Sequence, residues 1–416
     1  MKKLTLIASF LSLIIINTFS QEFSEWRGSG RTGIYNETGL LKTWPGEGPK
    51  MLWFNDSLPD GHSSAAIANN TIYLTGMVDT MDVLIALDIN GKKKWQIPYG
   101  RAWNQSFPES RCTPTIEDNR IYVSSGRGDI ACVDAKTGII IWSFKSTAEL
   151  GVKFNDWGVA ESLLIKGDKL YFSPVGTQTS TIAMDKLTGK IVWKSESIGD
   201  SLAYVSPILI NYAGKNIIIN IAASFVYAVN ADNGKILWKF NHKTLMPPPE
   251  DWAPIIKCTT PLYSDGKIYF TGGYNHIGAM LKMNDDASDV KLIWTDTTLD
   301  NHHGGVLKIG NYIYGASWIN NGNGNWCCID WETGKAKYET KWKNKGSIIS
   351  ADGMLYCYEE KTGNLALVPV NPEKFEISSS FKIPYGKGPY WSHPVIKNGI
   401  LYVRHGTALM AYSIKN

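Results

Sequence analysis

Two adjacent cysteines, Cys327 and Cys328, sit in WCCID, and two adjacent histidines, His302 and His303, closely follow Asp300. Vicinal thiols can close a disulfide ring, or serve as two small apolar residues on opposite faces of a strand. A His pair near a carboxylate can bind a metal ion or line a channel. Carboxylates also stand beside amides at Asn155-Asp156 and Asp300-Asn301, with Glu161 and Asp251 elsewhere. Such groups are oxygen donors, and a carboxylate can act as a base. The chain carries no CxxC, no CxxCH and no zinc-ligand spacing, and NNGNGNW at 320–326 lacks the alternating acids of a calcium loop.

What positions these residues is a repeat. VDAKTGIIIW at 133–142 returns as MDKLTGKIVW at 184–193, VNADNGKILW at 229–238 and IDWETGKAKY at 329–338, with LDINGKKKW at 87–95 as a shorter copy. Upstream of each copy lies an Ile/Leu-Tyr pair: Ile72-Tyr73, Ile121-Tyr122, Leu170-Tyr171, Ile268-Tyr269, Ile313-Tyr314, Leu355-Tyr356 and Leu401-Tyr402, with Ile217-Ile218 standing in once. Successive pairs are 42 to 51 residues apart. Each unit alternates apolar and polar residues with period two, so the repeat reads as strands and not as a helical solenoid. In the second unit the four strands are CTPTIE, RIYVSS, DIACVDA and GIIIWSF, with Thr-Gly as the tight turn before the last. The closing Trp is expected to pack on the neighbouring unit.

The fold class expected is all-β: an eight-bladed propeller of four-stranded antiparallel blades. The eighth unit, from SHPVIKNG to TALMAYSIKN, lacks a fourth strand, and GPKMLWFNDSL at 48–58 supplies a candidate with Trp53 in place. Joining the two ends closes the ring and removes the open edges. Ahead of it, Lys2 and Lys3 precede the apolar run LTLIASFLSLIII, which reads as a secretory signal peptide cut near Ser20. The run is short for a membrane span, and no Cys follows it as a lipid anchor would require. The expected organisation is a leader at 1–20, an arm at 21–47 and the propeller at 48–416, in a periplasmic or secreted protein. Loss of Lys2 and Lys3 takes the formal charge from +4 to +2, which gives no support to nucleic-acid binding.

Counting back eleven residues from each second-strand Tyr gives the residue that leads into each first strand. These are His62, Arg111, Ala160, Cys258, His303, Lys345 and Trp391, with Tyr204 in the fourth unit. One position further lie Ser63, Cys112, Glu161 and their equivalents. In a propeller the loops linking blades and the loops between second and third strands share one face. Trp103, Trp157, Trp252, Trp391, Trp318 and Trp326 are all expected on that face. Aromatics beside Arg111, Arg127, Lys345 and Arg404 suit a planar or anionic ligand, or a saccharide.

The repeat resembles the pyrroloquinoline-quinone (PQQ)-like family, in which A-x-D-x-x-T-G-K-x-x-W links adjacent blades, and the arm EWRGSGRTGIYNETGLLKTWP resembles the segment before the propeller in secreted members. The resemblance covers about 48–416. Some members are quinone-dependent dehydrogenases; others, such as the BamB lipoprotein, are scaffolds without chemistry. A quinoprotein would place Arg111 and Lys345 on PQQ oxygens, Trp157 or Trp391 on its face, and His62 and His303 around it. Glu161 with Asp156 would hold Ca2+, Asp156 or Asp300 would act as base, and Cys327-Cys328 would form the disulfide ring found beneath the quinone in methanol-dehydrogenase-type members. The favoured expectation is a PQQ-binding-type quinoprotein that oxidises an alcohol or sugar. The alternatives are a scaffold that holds a protein partner at its rim, or a saccharide-binding accessory protein in polysaccharide breakdown.

Overall fold

The computed structural model describes residues 23–152, 154, 156–245 and 257–415. The leader expected at 1–20 lies outside them, as do Asn155, Asp251 and Trp252. The chain folds as a ring of eight four-stranded antiparallel blades. Seven are contiguous, at 66–101, 115–145, 164–194, 208–241, 262–296, 306–340 and 346–382. The eighth joins Val395–Lys397, Ile400–His405 and Ala408–Ser413 to Met51–Asn55, with Trp53 opposite Ala411.

Proline sets where several inner strands begin. Thr115, Ile208, Leu262 and Val395 each open an inner strand directly after a proline, which has no N–H to give to a ladder. In blades 1 to 4 the residue two positions ahead of the inner strand does different work. Inner strands of neighbouring blades do not pair, so their leading amides need another acceptor. A belt of hydroxyls supplies it: Ser64 N–H donates to Thr113 Oγ1 (2.9 Å), Thr113 N–H to Ser162 Oγ (3.0 Å) and Ser162 N–H to Ser206 Oγ (2.9 Å).

The outer seam is built from the D-x-x-T-G turn. Asp134 Oδ1 accepts from Thr137 N–H and Thr137 Oγ1, each at 2.8 Å, and Asp185 and Asp330 repeat the arrangement. The glycine that follows has positive φ (75° at Gly138, 72° at Gly189) and also leaves room for the indole of the preceding blade. A Cβ on Gly189 would lie 2.6 Å from the Trp142 ring, and Gly91, Gly138, Gly234 and Gly334 meet Trp53, Trp95, Trp193 and Trp294 in the same way. Trp142 Nε1 then donates to Lys186 O, and Trp193 Nε1 to Ala231 O. Second-strand tyrosines reach the same turns, Tyr73 on Ala135 O and Tyr171 on Ala231 O. The seam between blades 6 and 7 has Trp326 stacked on Phe375 instead, with Tyr338 beside it.

The arm does not trail outside the ring. Phe23–Ser24 pairs antiparallel with the inner strand of blade 2, and Ile34–Tyr35 pairs parallel with the inner strand of blade 7. The chain between them therefore crosses the central channel. Arg31 donates to Pro207 O (2.8 Å) and Leu163 O (2.7 Å), and Arg27 to Val306 O (2.9 Å) and Ile348 O (3.2 Å). Both guanidinium groups are buried, and Gly33 and Gly305 leave the space Arg27 occupies.

The seam makes a measurable difference between glycines. Gly214 has φ of 71° with nothing within 4 Å of its would-be Cβ, so Gly214→Ala should cost only the left-handed strain of about 1–2 kcal/mol. Gly189→Ala adds the clash with Trp142 and should cost about 1–3 kcal/mol more. Urea denaturation of the two variants side by side checks the difference.

Candidate functional site

The crossing arm turns the channel into a cup. Its cavity, about 520 Å³, opens on the face that carries the blade-linking loops and the loops between second and third strands. Trp26 of the arm and His393 line it, their rings edge-to-face at 5.3 Å. His393 is fixed from both sides: Arg27 donates to Nδ1 (2.8 Å), so the proton sits on Nε2 and is donated to His303 O (3.0 Å). Burial, and then the Arg27 charge, holds this imidazole neutral, well below the usual histidine range.

The walls come from the lead-in register. His62, Arg111, Ala160, Tyr204, Cys258, His303 and Trp391 all line the cavity, joined by Phe107, Trp157 and Tyr274 from loops. Ser162, Ser206 and His393, two residues further along their strands, line it too. Period two explains both sets, and also why Glu161, one residue along, does not. Trp391 lies between His62 (4.9 Å) and His303 (5.3 Å), and Phe107 meets both Trp157 and Trp391. The cavity is thus a box of aromatic faces.

Charge inside the box is unevenly matched. The Glu360 carboxylate meets His303 Nε2 (2.8 Å) and Lys345 Nζ (2.7 Å). Burial opposes its charge, but those two neighbours overcome it and hold the carboxyl at about 2. His62 pairs with Glu109, and burial still lowers its proton affinity; burial, with His303 beside it, takes His302 lower. Arg111 differs. Its guanidinium donates to Trp157 O (2.9 Å) and Phe107 O, and among the described residues no carboxylate pairs with it. Lys361 adds an exposed cation on the blade 7 side.

Other residues singled out from the sequence lie elsewhere. Lys345 is buried behind the wall, its ammonium taken by Glu360 and Asn320 O (3.0 Å). Glu161 is buried inside its blade, where Oε2 accepts from Ser173 N–H (3.0 Å) and burial pushes the carboxyl up to about 8 against the pull of Arg31. Asp156 is exposed on its loop, and Asp300 is buried outside the cavity lining. Among the described residues no three His, Cys, Asp or Glu side chains are grouped to hold a metal ion. Cys327 and Cys328 are free thiols in mid-strand, buried in separate hydrophobic clusters and away from the cavity. Arg404 spends its guanidinium on Ser63 O, Thr75 O and Pro59 O, and Arg127 lies over Trp103.

Of the tryptophans expected on the rim, Trp157 and Trp391 line the cavity. Trp103 and Trp318 pack beside it, and Trp326 belongs to a blade core. Trp318 and Trp326, expected to flank the loop between second and third strands, are themselves part of the ladder, which Tyr312–Asn320 and Asn323–Asp330 extend through both. Trp26, His393, Tyr274 and Glu360 were missed. For His393 a signal existed, two residues after Trp391 in the same register.

The buried Glu161 carboxyl makes stability depend on pH. Its folded value lies above the ordinary carboxylate value, so its contribution is present at low pH and is lost as pH rises toward 8. Glu161→Gln, which keeps an acceptor for Ser173, should therefore exceed the parent chain in stability by on the order of 1–3 kcal/mol at pH 9, with the gap closing by about pH 5. Thermal unfolding across that range tests this.

The sequence and the fold are similar to those of known proteins. The chain is 31% identical over 155 residues to quinohemoprotein alcohol dehydrogenase ADH IIB of Pseudomonas putida, a match covering 34% of this chain and 22% of that protein. It is 22% identical over 284 residues to an uncharacterized protein of Rickettsia conorii, covering 61% of this chain and 62% of that one. It thus spans only part of the length of these relatives. The quinohemoprotein alcohol dehydrogenase from Comamonas testosteroni shares the fold, with a TM-score of 0.68 at 11% identity over 93% of this chain and 79% of that one. The family model described as outer membrane protein assembly factor BamB matches residues 50–344. On that match and the blade architecture that carries it, the chain belongs to the PQQ-like, BamB-type propeller family.

Proposed function

We propose that the cavity takes a planar, anionic small molecule of the PQQ class, and that the protein is an exported quinoprotein-type propeller. The observation that carries this reading is Arg111, a cation without a carboxylate partner among the described residues, set in an aromatic box. When bound, such a quinone supplies two-electron redox chemistry, with an alcohol or a sugar as the substrate class. Arg111 and Lys361 would meet its acidic groups, Trp157 or Trp391 would pack on its face, and His62, His303 and Trp26 would close the box. Lys345 contributes at one remove, by fixing Glu360 and through it His303.

Calcium does not fit the described residues. Glu161 points into its blade and Asp156 to solvent, so no step is assigned to a metal or to Asp156 or Asp300 as base. Export rests on the leader read at 1–20, ahead of an arm at 21–47 and the propeller at 48–416; it implies a periplasmic or secreted protein.

A second reading, a scaffold for a protein partner, is favoured by one observation besides the family match. Ile139 is 65% exposed on blade 2, with Ile140 and Ile141 following it, and Leu187 and Val192 are exposed on the adjoining blade 3. Titration with PQQ separates the two. Tryptophan fluorescence should be quenched with a midpoint of roughly micromolar order, with or without Ca2+. Arg111→Met should weaken binding about 10–100-fold and Trp391→Ala about tenfold. Trp26→Ala, which removes part of the floor, should weaken it by a similar factor. Absence of quenching by PQQ would favour the scaffold; quenching by neutral oligosaccharides instead would favour saccharide binding.

A further inference from the structure

Blade 5 presents its part of the cavity wall on a strained loop. Gly273, Tyr274 and Asn275 have φ of 56°, 59° and 61°, three left-handed residues in succession between the second and third strands. Glycine and asparagine accept that conformation; tyrosine resists it. Yet Tyr274 is the residue that reaches the cavity, edge-to-face with His302 at 4.8 Å and tilted against Trp318 at 5.0 Å. A backbone held against its preference must be over-determined by its surroundings, and such strain gathers at binding sites.

The surroundings are specific. Asn275 N–H donates to Asp300 Oδ2 at 2.7 Å, and His276 N–H returns to Gly273 O. Asp300 is itself held, since its carbonyl accepts from Trp318 N–H (2.7 Å) and the next residue, Asn301, accepts from Thr259 Oγ1 (2.7 Å) and donates to Ala316 O (2.8 Å). Beneath the loop, the Lys257 side chain packs on Gly272 so closely that a Cβ there would lie 2.2 Å from its Cδ. His302 closes on Gly273, where a Cβ would lie 3.0 Å from its Cα. Burial pushes the Asp300 carboxyl up and the Lys257 ammonium down, and each charge favours the other. Asp300 does not line the cavity, so it touches no ligand there.

We propose that Asp300 is a positioning residue of the cavity: its carboxylate latches the left-handed Gly273–Asn275 turn and so sets the Tyr274–His302 wall against which a ligand packs. The proposal rests on the reading of the cavity as a ligand site, and deepens it by naming what fixes one wall. The Asn275 amide is the hinge of the device, and the Trp318 amide, bonded to the same residue, ties the latch to blade 6.

Hydrogen exchange on the full chain, read on the peptide across 272–277, tests the latch without any ligand. Asp300→Ala should speed exchange there about tenfold or more while leaving the other blades unchanged, and Asp300→Asn, which keeps an acceptor for the Asn275 amide, should restore most of the protection. If Asp300→Ala does not fold, Asp300→Ser serves as the truncation. In PQQ titrations, Asp300→Ala and Tyr274→Leu should each weaken binding about tenfold, with Asp300→Asn close to the parent chain. Unchanged exchange at 272–277 in the truncation overturns the latch, whatever PQQ does. Loss of affinity in Tyr274→Leu but not in Asp300→Ala overturns it as well. Failure of the parent chain to bind PQQ counts against the ligand reading, and the exchange comparison still decides the latch.

Discussion

At the inner lip of blades 1 to 3 the backbone has amides that find their acceptor outside their own sheet, because neighbouring inner strands form no ladder with one another. A buried amide without an acceptor costs about as much as a lost hydrogen bond. The ring solves this with side chains: Ser64, Thr113, Ser162 and Ser206 pass hydrogen bonds from blade to blade around half the channel. At the outer radius the problem is apolar, and five indoles lie on five turn glycines of the following blades. The belt lines the channel, the outer seam joins the blades, and the cavity is the part of the channel that the arm closes off.

Across that channel runs the arm. Two buried guanidinium groups would be costly in an apolar core, but Arg27 and Arg31 reach backbone carbonyls of blades 3, 4, 6 and 7 that point inward from the strands. Burial still lowers the Arg27 proton affinity, to about 10, which leaves it charged at neutral pH. The cations of the floor are therefore already spent, Arg27 on carbonyls and His393 and Arg31 on carbonyls and the Glu25 carboxylate. Arg111 also donates to two carbonyls, but it lines the cavity and among the described residues no carboxylate pairs with it, so its charge is the one our proposal assigns to a ligand. Electrostatics near the mouth thus follow from which cations the fold has used up.

The sequence discloses the blades because each is written locally: the Asp, Thr and Gly of a turn and the Trp a few residues on form one hairpin, and the pattern recurs. The same register, carried back to the start of each blade, finds the cavity wall at His62, Arg111, Tyr204, Cys258, His303 and Trp391. It misleads at Glu161 because a one-residue step along a strand turns a side chain from channel to blade interior. It misleads at Lys345, whose register is right but whose charge is consumed by Glu360, a residue in another loop of the same blade. The arm was invisible as a channel plug, since its partners are backbone carbonyls, which leave no mark on composition. Cys327 and Cys328 looked chemical only because adjacency is conspicuous; the strand sends them to opposite faces.

The eighth blade is assembled from both ends of the described chain, Met51–Asn55 against Ala408–Ser413. A chain delivered from its N-terminus must therefore hold Met51–Asn55 unpartnered until more than three hundred later residues have arrived. Because Phe23–Ser24 and Ile34–Tyr35 sit inside the annulus on blades 2 and 7, the arm must also be seated before the last hairpin swings shut. Closure is then a single late event of very long sequence separation, which makes folding slow and leaves the first and last sheets as the exposed, adhesive edges of every incomplete molecule.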